Sequence, residues 1–292
     1  MTKILIGHAS KDTTGVTVIL APGGAVAGVD VRGSAPGTRE TDLLRTGNLV
    51  EKLHAVVLAG GSAFGLEAAC GVMEYLSERN IGFRAGAHAV PIVPAAVIFD
   101  INTDKLVYPD KKTGYEACLN AKEGNYISGR VGAGTGATVG KMAGVPSAGG
   151  VGCASVTIGN IVTTAVIVCN AAGDIYDAGD GRVISGARGA DGGLIDAYNA
   201  ALKLGSARMP AGTNTTVGAV ITNAALTKEY ANKLAAVAHD GLAMSIRPVH
   251  TMADGDTIFG LSTGEIADAD INLVLLSAVE AVRLAVLGSV TV

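Results

Sequence analysis

A layered α/β sandwich is the fold class that this sequence predicts, on three observations. Short runs rich in Val, Ile and Thr alternate along the chain with longer segments that carry apolar residues at helical spacing. Glycine, with 41 residues, is clustered between those runs, which is typical of tight turns and close backbone approach. Of the 292 residues 49% are hydrophobic, which is enough for a sizeable core.

Six segments have the composition of strands, and several are apolar enough to be buried on both faces. They are TGVTVILA (14–21), AVVLAG (55–60), AAVIFDI (95–101), SVTIGNIVTTAVIVCN (155–170), TTVGAVITN (215–223) and DTIFGLST (256–263).

Four further segments repeat apolar residues at helical spacing, and their apolar stripes require a sheet to cover them. They are AFGLEAACGVMEYLSER (63–79), DGGLIDAYNAALKLG (191–205), TKEYANKLAAVAHDGLAMSI (227–246) and DADINLVLLSAVEAVRLAVLG (268–288). The last of them opens with an aspartate, which is typical of a helix N-cap, and its apolar arc is too wide for a helix with only one covered side.

The whole chain, 1–292, is predicted to form a single domain. No linker rich in Pro or Ser divides it, and no internal repeat is present. The one extended polar stretch, YPDKKTGYEACLNAKEGNY (108–126), is predicted to be a surface excursion.

Charge and composition narrow the choice of partners. The net charge is −4, no Lys/Arg-rich run is present and aromatic residues make up 4%, so we expect no nucleic acid and favour a small-molecule or peptide partner. The N-terminal stretch MTKILIGHAS lacks the apolar segment of a signal peptide, and the longest apolar runs, such as 161–169, fall short of the roughly 18 residues of a membrane span. We therefore expect a cytoplasmic protein without a membrane segment.

No cofactor or metal is predicted. The cysteines are far apart and lack ligand or disulfide-framework spacing, so we expect reduced core residues: Cys70, Cys118, Cys153 and Cys169. The run GAGTGATVGK (132–141) fails the phosphate-loop pattern, because Thr135 replaces its first glycine and Met142 follows the lysine where Ser or Thr would bind magnesium.

The stretch AGTNTTVGAVITNA (211–224) places polar residues at the entry to a buried strand. A hydroxyl at the first position of a strand can attack the carbonyl of the preceding residue, and the resulting N→O acyl shift cuts the chain. Cleavage between Asn214 and Thr215 would leave Thr215 with a free α-amine, whose unperturbed pKa of roughly 7.7–8.0 suits a general base for its own hydroxyl. The alternative is a polar turn feeding a strand, where threonine is favoured in any case.

Four separated motifs follow one another along the chain, at 60–83, 90–100, 129–141 and 254–264. They read GGSAFGLEAACGVMEYLSERNIGF, VPIVPAAVIFD, GRVGAGTGATVGK and DGDTIFGLSTG. Together they resemble the family of L-aminopeptidase D-Ala-esterase/amidases, which also includes β-aminopeptidases and endo-acting nylon-oligomer hydrolases.

The resemblance implies a self-processing amide hydrolase of N-terminal-nucleophile type in a four-layer α/β/β/α sandwich. Its substrates would be short peptides, amino-acid amides or ω-amino-acid oligomers, cleaved through an acyl-enzyme. The nucleophile falls on Thr215 and the residue before the cut on Asn214, which divides the chain into 1–214 and 215–292. The Asn-Thr junction is most similar to the nylon-oligomer branch. A homo-oligomer, expected to be a tetramer of processed protomers, is implied as well.

Four more site residues follow from the same resemblance. A pair of aspartates falls on Asp254 and Asp256, which would share one face of an extended strand and reach Thr215. Lys141 matches a lysine beside the nucleophile, and Asn170 matches an asparagine of the oxyanion site. A second oxyanion donor would be a tyrosine, and the candidates for it remain Tyr108, Tyr115 and Tyr126.

Each of these residues also has a plainer interpretation: a turn for the Asp-Gly-Asp motif and for Asn170, and a solvated helix-start lysine for Lys141. GGSAFG misses the nucleophile-elbow pattern because Phe64 replaces its last glycine, so a triad of Ser62, His250 and Asp254 is a weak alternative in which His250 is better read as structural. Two other functions stay open, namely an acyltransferase of the ornithine acetyltransferase type and an uncleaved, non-catalytic scaffold of the same fold.

Overall fold

The structure is a computed structural model and describes residues 3–101, 105–206 and 212–291. Within these ranges the α-helices are α1 (Ala68–Ser77), α2 (Lys111–Leu119), α3 (Ala197–Leu204), α4 (Lys228–Ser245) and α5 (Ile271–Gly288). The strands are β1 (Leu5–Lys11), β2 (Thr14–Val31), β3 (Thr38–Arg39), β4 (Lys52–Ala59), β5 (Phe83–Ala85), β6 (His88–Val90), β7 (Ala95–Val97), β8 (Thr138–Val139), β9 (Ser147–Ala148), β10 (Gly150–Ile158), β11 (Ile161–Asn170), β12 (Asp174–Tyr176), β13 (Val183–Ser185), β14 (Thr215–Ala224), β15 (Ile246–Arg247) and β16 (Thr257–Ile266).

The main sheet is continuous through the long strand β2. Its strands follow the order β10-β11-β14-β16-β2-β4-β7-β3, and β1 pairs with β2 as well. The first half of β2 pairs with β1 and β4, and its second half, from Val26 to Val31, pairs with β16. The register with β4 shifts between Leu20 and Ala25, and the pairing with β4 ends at Val26. Strand β2 therefore passes from one layer of the sandwich into the other.

Successive side chains of a strand point to opposite faces of its sheet, so the strands contribute to different hydrophobic cores on their two faces. Three such cores border the main sheet within the described residues. In β14, Val217 and Ala219 lie in the core between the two sheet halves, together with residues of β2, β4 and β11. The intervening Val220 lies in a core with α4 and α5. On the other side, Val16 and Val18 of β2 pack against α1 and α2. The layers are therefore α/β/β/α, which confirms the predicted fold class.

Helix α4 approaches the sheet closely at two paired glycines. Gly28 of β2 and Gly260 of β16 are register partners. A Cβ added at either position would run into the backbone of α4 around Ala231. The absence of side chains there lets the helix lie directly on the strands, which favours glycine at both positions.

The predicted elements occur with shifted ends. All four predicted helices are present, but 63–79 begins as a 3-10 helix (Ser62–Glu67), and 191–205 is helical only as α3. The predicted strand 155–170 is a hairpin of β10 and β11, since Gly159, with φ 61, turns the chain. The segment 95–101 is a strand only over β7.

Two expectations were wrong. The polar stretch 108–126 is not a simple excursion, because it contains α2, which packs against α1 and β1. Asp110 caps that helix by accepting a hydrogen bond from the Thr113 N–H at 2.9 Å. Cys70 is exposed, so the core interpretation fails for it, whereas Cys118 and Cys169 are buried, and all four cysteines are free.

Helix α5 is long and apolar enough, with a mean hydropathy of 1.8, to pass the length and composition test for a membrane span. Core helices of water-soluble proteins pass the same test. In this fold α5 lies across β10 and β11 and beside α4. Packing within the sandwich therefore accounts for the buried side of this apolar helix.

Candidate active site

The ends of three neighbouring strands form the candidate active site. Thr215 is the first residue of β14, and its register partner on β11 is Asn170, the last residue of that strand. On the other side, β14 runs parallel to β16, and a bridge joins Asn214 to Asp254 just before β16 begins. The sheet pairing thus gathers residues that are far apart in the sequence.

The peptide bond between Asn214 and Thr215 is buried, with Asn214 fully covered and Thr215 5% exposed. The Thr215 hydroxyl donates a hydrogen bond to the carbonyl oxygen of Asn214. The N–H of Gly255 donates to the same oxygen at 3.0 Å. The carbonyl that would be attacked in self-cleavage is therefore polarised by a backbone donor and lies beside a hydroxyl.

Gly255 sits against the Thr215 hydroxyl. A Cβ at this position would lie 2.8 Å from Thr215 Oγ1 and 2.6 Å from the backbone oxygen of Ala35. Real Cβ atoms essentially never come that close. The glycine between the two aspartates is therefore required by the approach of the hydroxyl, and the Asp-Gly-Asp segment is more than a surface turn.

Asp256 joins the start of β14 to a histidine. Its Oδ1 accepts from the Thr216 N–H at 2.7 Å, and its Oδ2 accepts from both the backbone N–H of His250, at 3.1 Å, and Nδ1 of His250, at 2.8 Å. Both oxygens of the carboxylate are thus held in place, and one of them binds the N–H of Thr216, the residue that follows Thr215.

Asp254 is held by Thr251. Its Oδ2 accepts from the Thr251 N–H at 2.8 Å and from the Thr251 hydroxyl at 2.5 Å. Burial raises the pKa of Asp254, and the neighbouring Asp256 carboxylate raises it further. The two aspartates thus form an electrostatically coupled acidic pair beside the junction.

Lys141 lies on the opposite side of the junction. Its Nζ donates to the carbonyl oxygen of Thr213 at 2.9 Å, to Oδ1 of Asn170 at 2.8 Å and to the Asn170 carbonyl oxygen at 3.1 Å. Lys141 thus donates three hydrogen bonds, one for each N–H group of an ammonium. Burial lowers the pKa of Lys141 to about 8, so the charged form is lost more readily than from a solvated lysine.

The side-chain amide of Asn170 is oriented by its neighbours. Its Oδ1 accepts from the Thr138 N–H at 3.1 Å as well as from Lys141. Its Nδ2 donates to the carbonyl oxygens of Phe99, at 3.1 Å, and Thr213, at 3.3 Å. An amide donor is therefore directed at the backbone immediately before the junction.

A cavity of about 390 Å³ opens beside this segment. Its lining comprises Thr13, Phe99, Asp100, Ile101, Arg130, Gly136, Thr138, Lys141 and Thr213. Asp100 accepts from the Gly61 N–H at 2.6 Å, and burial raises its pKa. A larger cavity of about 640 Å³ lies over α1 and α2 and contains none of Asn214, Thr215 or the four residues predicted around them.

The three tyrosines do not supply a donor here. Tyr115 lines the larger cavity and donates to Glu78 at 2.7 Å, Tyr126 lines a third cavity, and Tyr108 stacks on Phe64 at 5.2 Å. None of them lines the 390 Å³ cavity.

The alternative triad is not assembled by any hydrogen bond among the described residues. His250 is bonded to Asp256 rather than to Asp254, and the Ser62 backbone N–H donates to the Ile98 carbonyl oxygen at 2.9 Å. No group of three or more His, Cys, Asp or Glu that could hold a metal ion occurs within the described ranges.

Sequence reasoning missed Gly255, Asp100 and the role of His250. The only signal for His250 was its nearness to the Asp-Gly-Asp motif, and Asp100 had none beyond its place at the end of a motif.

The chain is similar to known proteins along most of its length. The model of peptidase family S58 matches residues 2–292. An uncharacterized aminopeptidase of Mycobacterium leprae is 42% identical over 279 residues, which is 88% of this chain and 74% of the relative. A 6-aminohexanoate-oligomer endohydrolase of Paenarthrobacter ureafaciens is 36% identical over 265 residues, covering 89% of this chain and 72% of that enzyme.

Solved structures show the same fold. A Burkholderia β-aminopeptidase superposes with a TM-score of 0.71 at 20% identity, covering 98% of this chain and 84% of the other. The L-aminopeptidase D-Ala-esterase/amidase of Ochrobactrum anthropi, described as a variant of the Ntn hydrolase fold, gives 0.71 at 17% identity, with 98% and 83% covered. From the family match along nearly its whole length, this chain belongs to peptidase family S58.

Proposed function

We propose that this amide-bond hydrolase cuts itself between Asn214 and Thr215 and then uses Thr215 as its N-terminal nucleophile. The observation that carries the proposal is the junction itself. The Thr215 hydroxyl and the Gly255 N–H both donate to the Asn214 carbonyl oxygen, inside a buried pocket flanked by carboxylates and an ammonium. Family membership supports amide hydrolysis and gives no support to acyl transfer.

Self-cleavage would proceed by an N→O acyl shift. Thr215 Oγ1 adds to the Asn214 carbonyl carbon and gives up its proton, and the oxyanion that forms stays on the oxygen bonded to the Gly255 N–H. The C–N bond then breaks, and the nitrogen takes a proton to become the α-amine of Thr215. Water hydrolyses the remaining ester, which leaves a carboxylate on Asn214 and restores the hydroxyl.

Substrate hydrolysis would repeat this chemistry on an external amide. The freed α-amine takes the hydroxyl proton as Thr215 attacks, and later gives it to the leaving amine. Asp256 holds the Thr216 N–H, so it fixes the direction of the β14 backbone just behind the nucleophile. Water then hydrolyses the acyl-enzyme, which releases the acyl group as a carboxylic acid and restores Thr215.

The contacts of the segment before the cut support a proposed position for the acyl part of a substrate. In the intact chain, Lys141 and Asn170 both donate to the Thr213 carbonyl oxygen. Release of that segment after cleavage would expose both donors to a substrate carbonyl. The adjoining cavity of about 390 Å³ has room for a short acyl group.

We propose short peptides and oligoamides as substrates, in agreement with the names of the relatives. The Asp100 carboxylate lines the cavity and would attract an ammonium group of the substrate. Asp100→Asn should then raise KM for substrates with a free amine by about 10-fold and leave KM for their N-acetylated forms unchanged. An equal effect on both forms would remove Asp100 from recognition.

The protein is further proposed to be cytoplasmic and to assemble as a homo-oligomer, with a tetramer expected. Leu276 on α5 is 63% exposed, so an apolar part of this helix is left uncovered by the protomer. Light scattering at micromolar concentration should give a mass above that of one chain, and a strictly monomeric mass would contradict the proposal.

Denaturing mass spectrometry tests the central proposal. We expect fragments 1–214 and 215–292 after incubation at neutral pH, together with hydrolysis of dipeptides, amino-acid amides, β-peptides or 6-aminohexanoate oligomers. Thr215→Ala should stay intact and inactive, whereas the matched control Thr216→Val keeps the next backbone N–H and should still be cut. An intact, active wild-type chain would contradict the mechanism. If Thr215→Ala were cut before Thr216, the assignment of Thr215 as the nucleophile would be wrong.

A further inference from the structure

His250 contacts the candidate site through one carboxylate. It precedes Asp256 by six residues, and the exposed fractions of the two side chains are 15% and 2%. Its Nδ1 and its backbone N–H both lie within hydrogen-bond distance of Asp256 Oδ2, at 2.8 Å and 3.1 Å. Because Oδ1 of the same carboxylate accepts from the Thr216 N–H, Asp256 bridges His250 and the start of strand β14.

The backbone of His250 is held in an unusual conformation. Its φ is 59°, in the left-handed region that is uncommon for a non-glycine residue, although histidine enters it more often than most. In this conformation the ring and the backbone N–H point at the same oxygen. The carboxylate only accepts, so Nδ1 carries the proton that is shared, and Nε2 is the other, buried ring nitrogen.

A second histidine supports the ring from behind. His239, on α4, packs edge-on against His250 with ring centroids 4.8 Å apart and an interplanar angle of 71°. Its Nε2 donates to the Asp30 carbonyl oxygen at 3.1 Å, and burial lowers the pKa of His239 to about 4. His239 is therefore neutral near pH 7, so it packs against the ring without repelling a proton on it.

The charged groups around this pair are few. Asp256 and Asp254 face His250, while Asp30 and, behind it, Arg32 face His239. The histidine pair thus separates the acidic pair at the junction from an ion pair at the surface. Of these groups, only Asp256 receives a hydrogen bond from His250.

We infer that His250 is a positioning residue for the nucleophile, acting through Asp256. By fixing Oδ2 it leaves Oδ1 directed at the Thr216 N–H, and so holds the first residue of β14 in line with the carbonyl to be attacked. The inference rests on the proposed function, since it assigns His250 a part in both self-cleavage and hydrolysis. His250 touches no reacting atom itself.

Two substitutions at His250 separate positioning from general stability. His250→Asn keeps a side-chain N–H near the place of Nδ1, and asparagine tolerates the left-handed conformation. His250→Leu removes the donor. Loss of alignment at a reacting group is costly, so we expect His250→Leu to slow both self-cleavage and kcat by about 10-fold or more, with KM little changed. His250→Asn should recover to within about 3-fold of wild type.

A double-mutant comparison tests the route through Asp256. In an Asp256→Asn background, His250→Leu should have little further effect on the rate of self-cleavage, because the bond it removes is already altered. His88→Asn, on the exposed strand β6, serves as the matched control and should behave as wild type. Melting temperatures should accompany every rate, so that a fall in folded protein is not read as a fall in rate.

The outcomes are distinct. Equal rates for His250→Leu and wild type, or equal losses in His250→Leu and His250→Asn at unchanged melting temperature, would overturn the inference. So would additive effects of the His250 and Asp256 substitutions. If the wild type neither cuts itself nor hydrolyses amides, the proposed function fails instead. The His250–Asp256 bond can then still be judged by NMR, since a protected Nδ1–H resonance of His250 should disappear in Asp256→Asn, and its absence from the wild type would overturn the inference.

Discussion

Substitution of Gly255 by alanine tests the geometry of the junction most directly. The new methyl group would lie 2.8 Å from Thr215 Oγ1 and 2.6 Å from the Ala35 backbone oxygen, whereas ordinary contacts begin at 3.4 Å. To restore ordinary contacts, either the Gly255 backbone must move, or the hydroxyl and the Ala35 oxygen must give way by about 0.6 Å and about 0.8 Å. Either movement lengthens the Gly255 N–H bond to the Asn214 carbonyl oxygen or turns the hydroxyl away from it.

The expected loss of rate follows from that displacement. A misplacement of about 1 Å at a reacting group can cost roughly 10²-fold, and loss of one donor to an oxyanion costs about 10²–10³-fold. We therefore expect Gly255→Ala to slow self-cleavage by about 10²-fold. Overpacking of this kind also lowers the unfolding free energy by about 1–3 kcal/mol, which the melting temperature should show.

Gel densitometry of the intact chain and the two fragments over time measures the effect. The matched control is Gly288→Ala at the end of α5, where the nearest atom to an added Cβ is Ser128 Oγ at 3.8 Å, so no rate should change. A folded Gly255→Ala that matures at the wild-type rate would refute the reasoning, since the hydroxyl could not then be packed against this glycine.

Three further predictions concern charge. Asp254→Asn and Asp256→Asn should each slow amide hydrolysis by at least about 10²-fold, and Asp256→Asn should also slow self-cleavage because its amide puts a donor against the Thr216 N–H or His250. Initial rates with circular dichroism as fold control check this, and two folded variants with wild-type rates would contradict it. Self-cleavage precedes the α-amine, so its rate should fall as the pH rises through about 8 and Lys141 loses its proton, and Lys141→Met should be slow without that alkaline limb. The pKa of His239 is about 4 in the folded state and 6.5 as the ordinary value, so between these values the unfolded state binds more protons. The unfolding free energy therefore decreases as the pH is lowered through this range. From pH 7.5 to pH 5 this loss is about 2 kcal/mol; urea titrations should show it reduced in His239→Gln, and an unchanged pH dependence would contradict it.

The layered α/β class was largely predictable from the periodicity of the sequence, because periodicity reports burial directly, whereas the α/β/β/α order of the layers was implied by the family resemblance. Strands such as β14 and helices such as α4 and α5 are long and strongly patterned, and they occur where predicted. The path of β2 was not predictable, since Pro22-Gly23-Gly24 reads as a turn although the strand continues through it. Helix α2 escaped prediction because its sequence is mostly polar and it buries only a narrow face.

The site was predictable only in part, for a different reason. The polar residues at the entry to a buried strand identified the Asn214–Thr215 junction as chemically unusual. Nothing local in the sequence shows that β14 runs parallel to β16 and antiparallel to β11. The family resemblance supplied Lys141 and Asn170. The bond between His250 and Asp256 depends on a left-handed backbone conformation at His250, which no local feature of the sequence predicts.

The intact junction also explains how one set of donors can serve two reactions. Lys141 and Asn170 donate to the Thr213 carbonyl oxygen, and the Gly255 N–H donates to that of Asn214, so the precursor lies in its own site as a bound amide would. While that segment remains covalently attached, its effective concentration at the donors exceeds that of any free substrate. An uncut chain should therefore be inhibited by its own residues 213 and 214. In the proposed self-cleavage, the N→O shift would create the α-amine, and hydrolysis of the ester would then free the inhibiting segment. On the proposed mechanism, activation and turnover would share the attack of Thr215 Oγ1 on an amide carbonyl and would differ in the base, because the α-amine exists only after the cut.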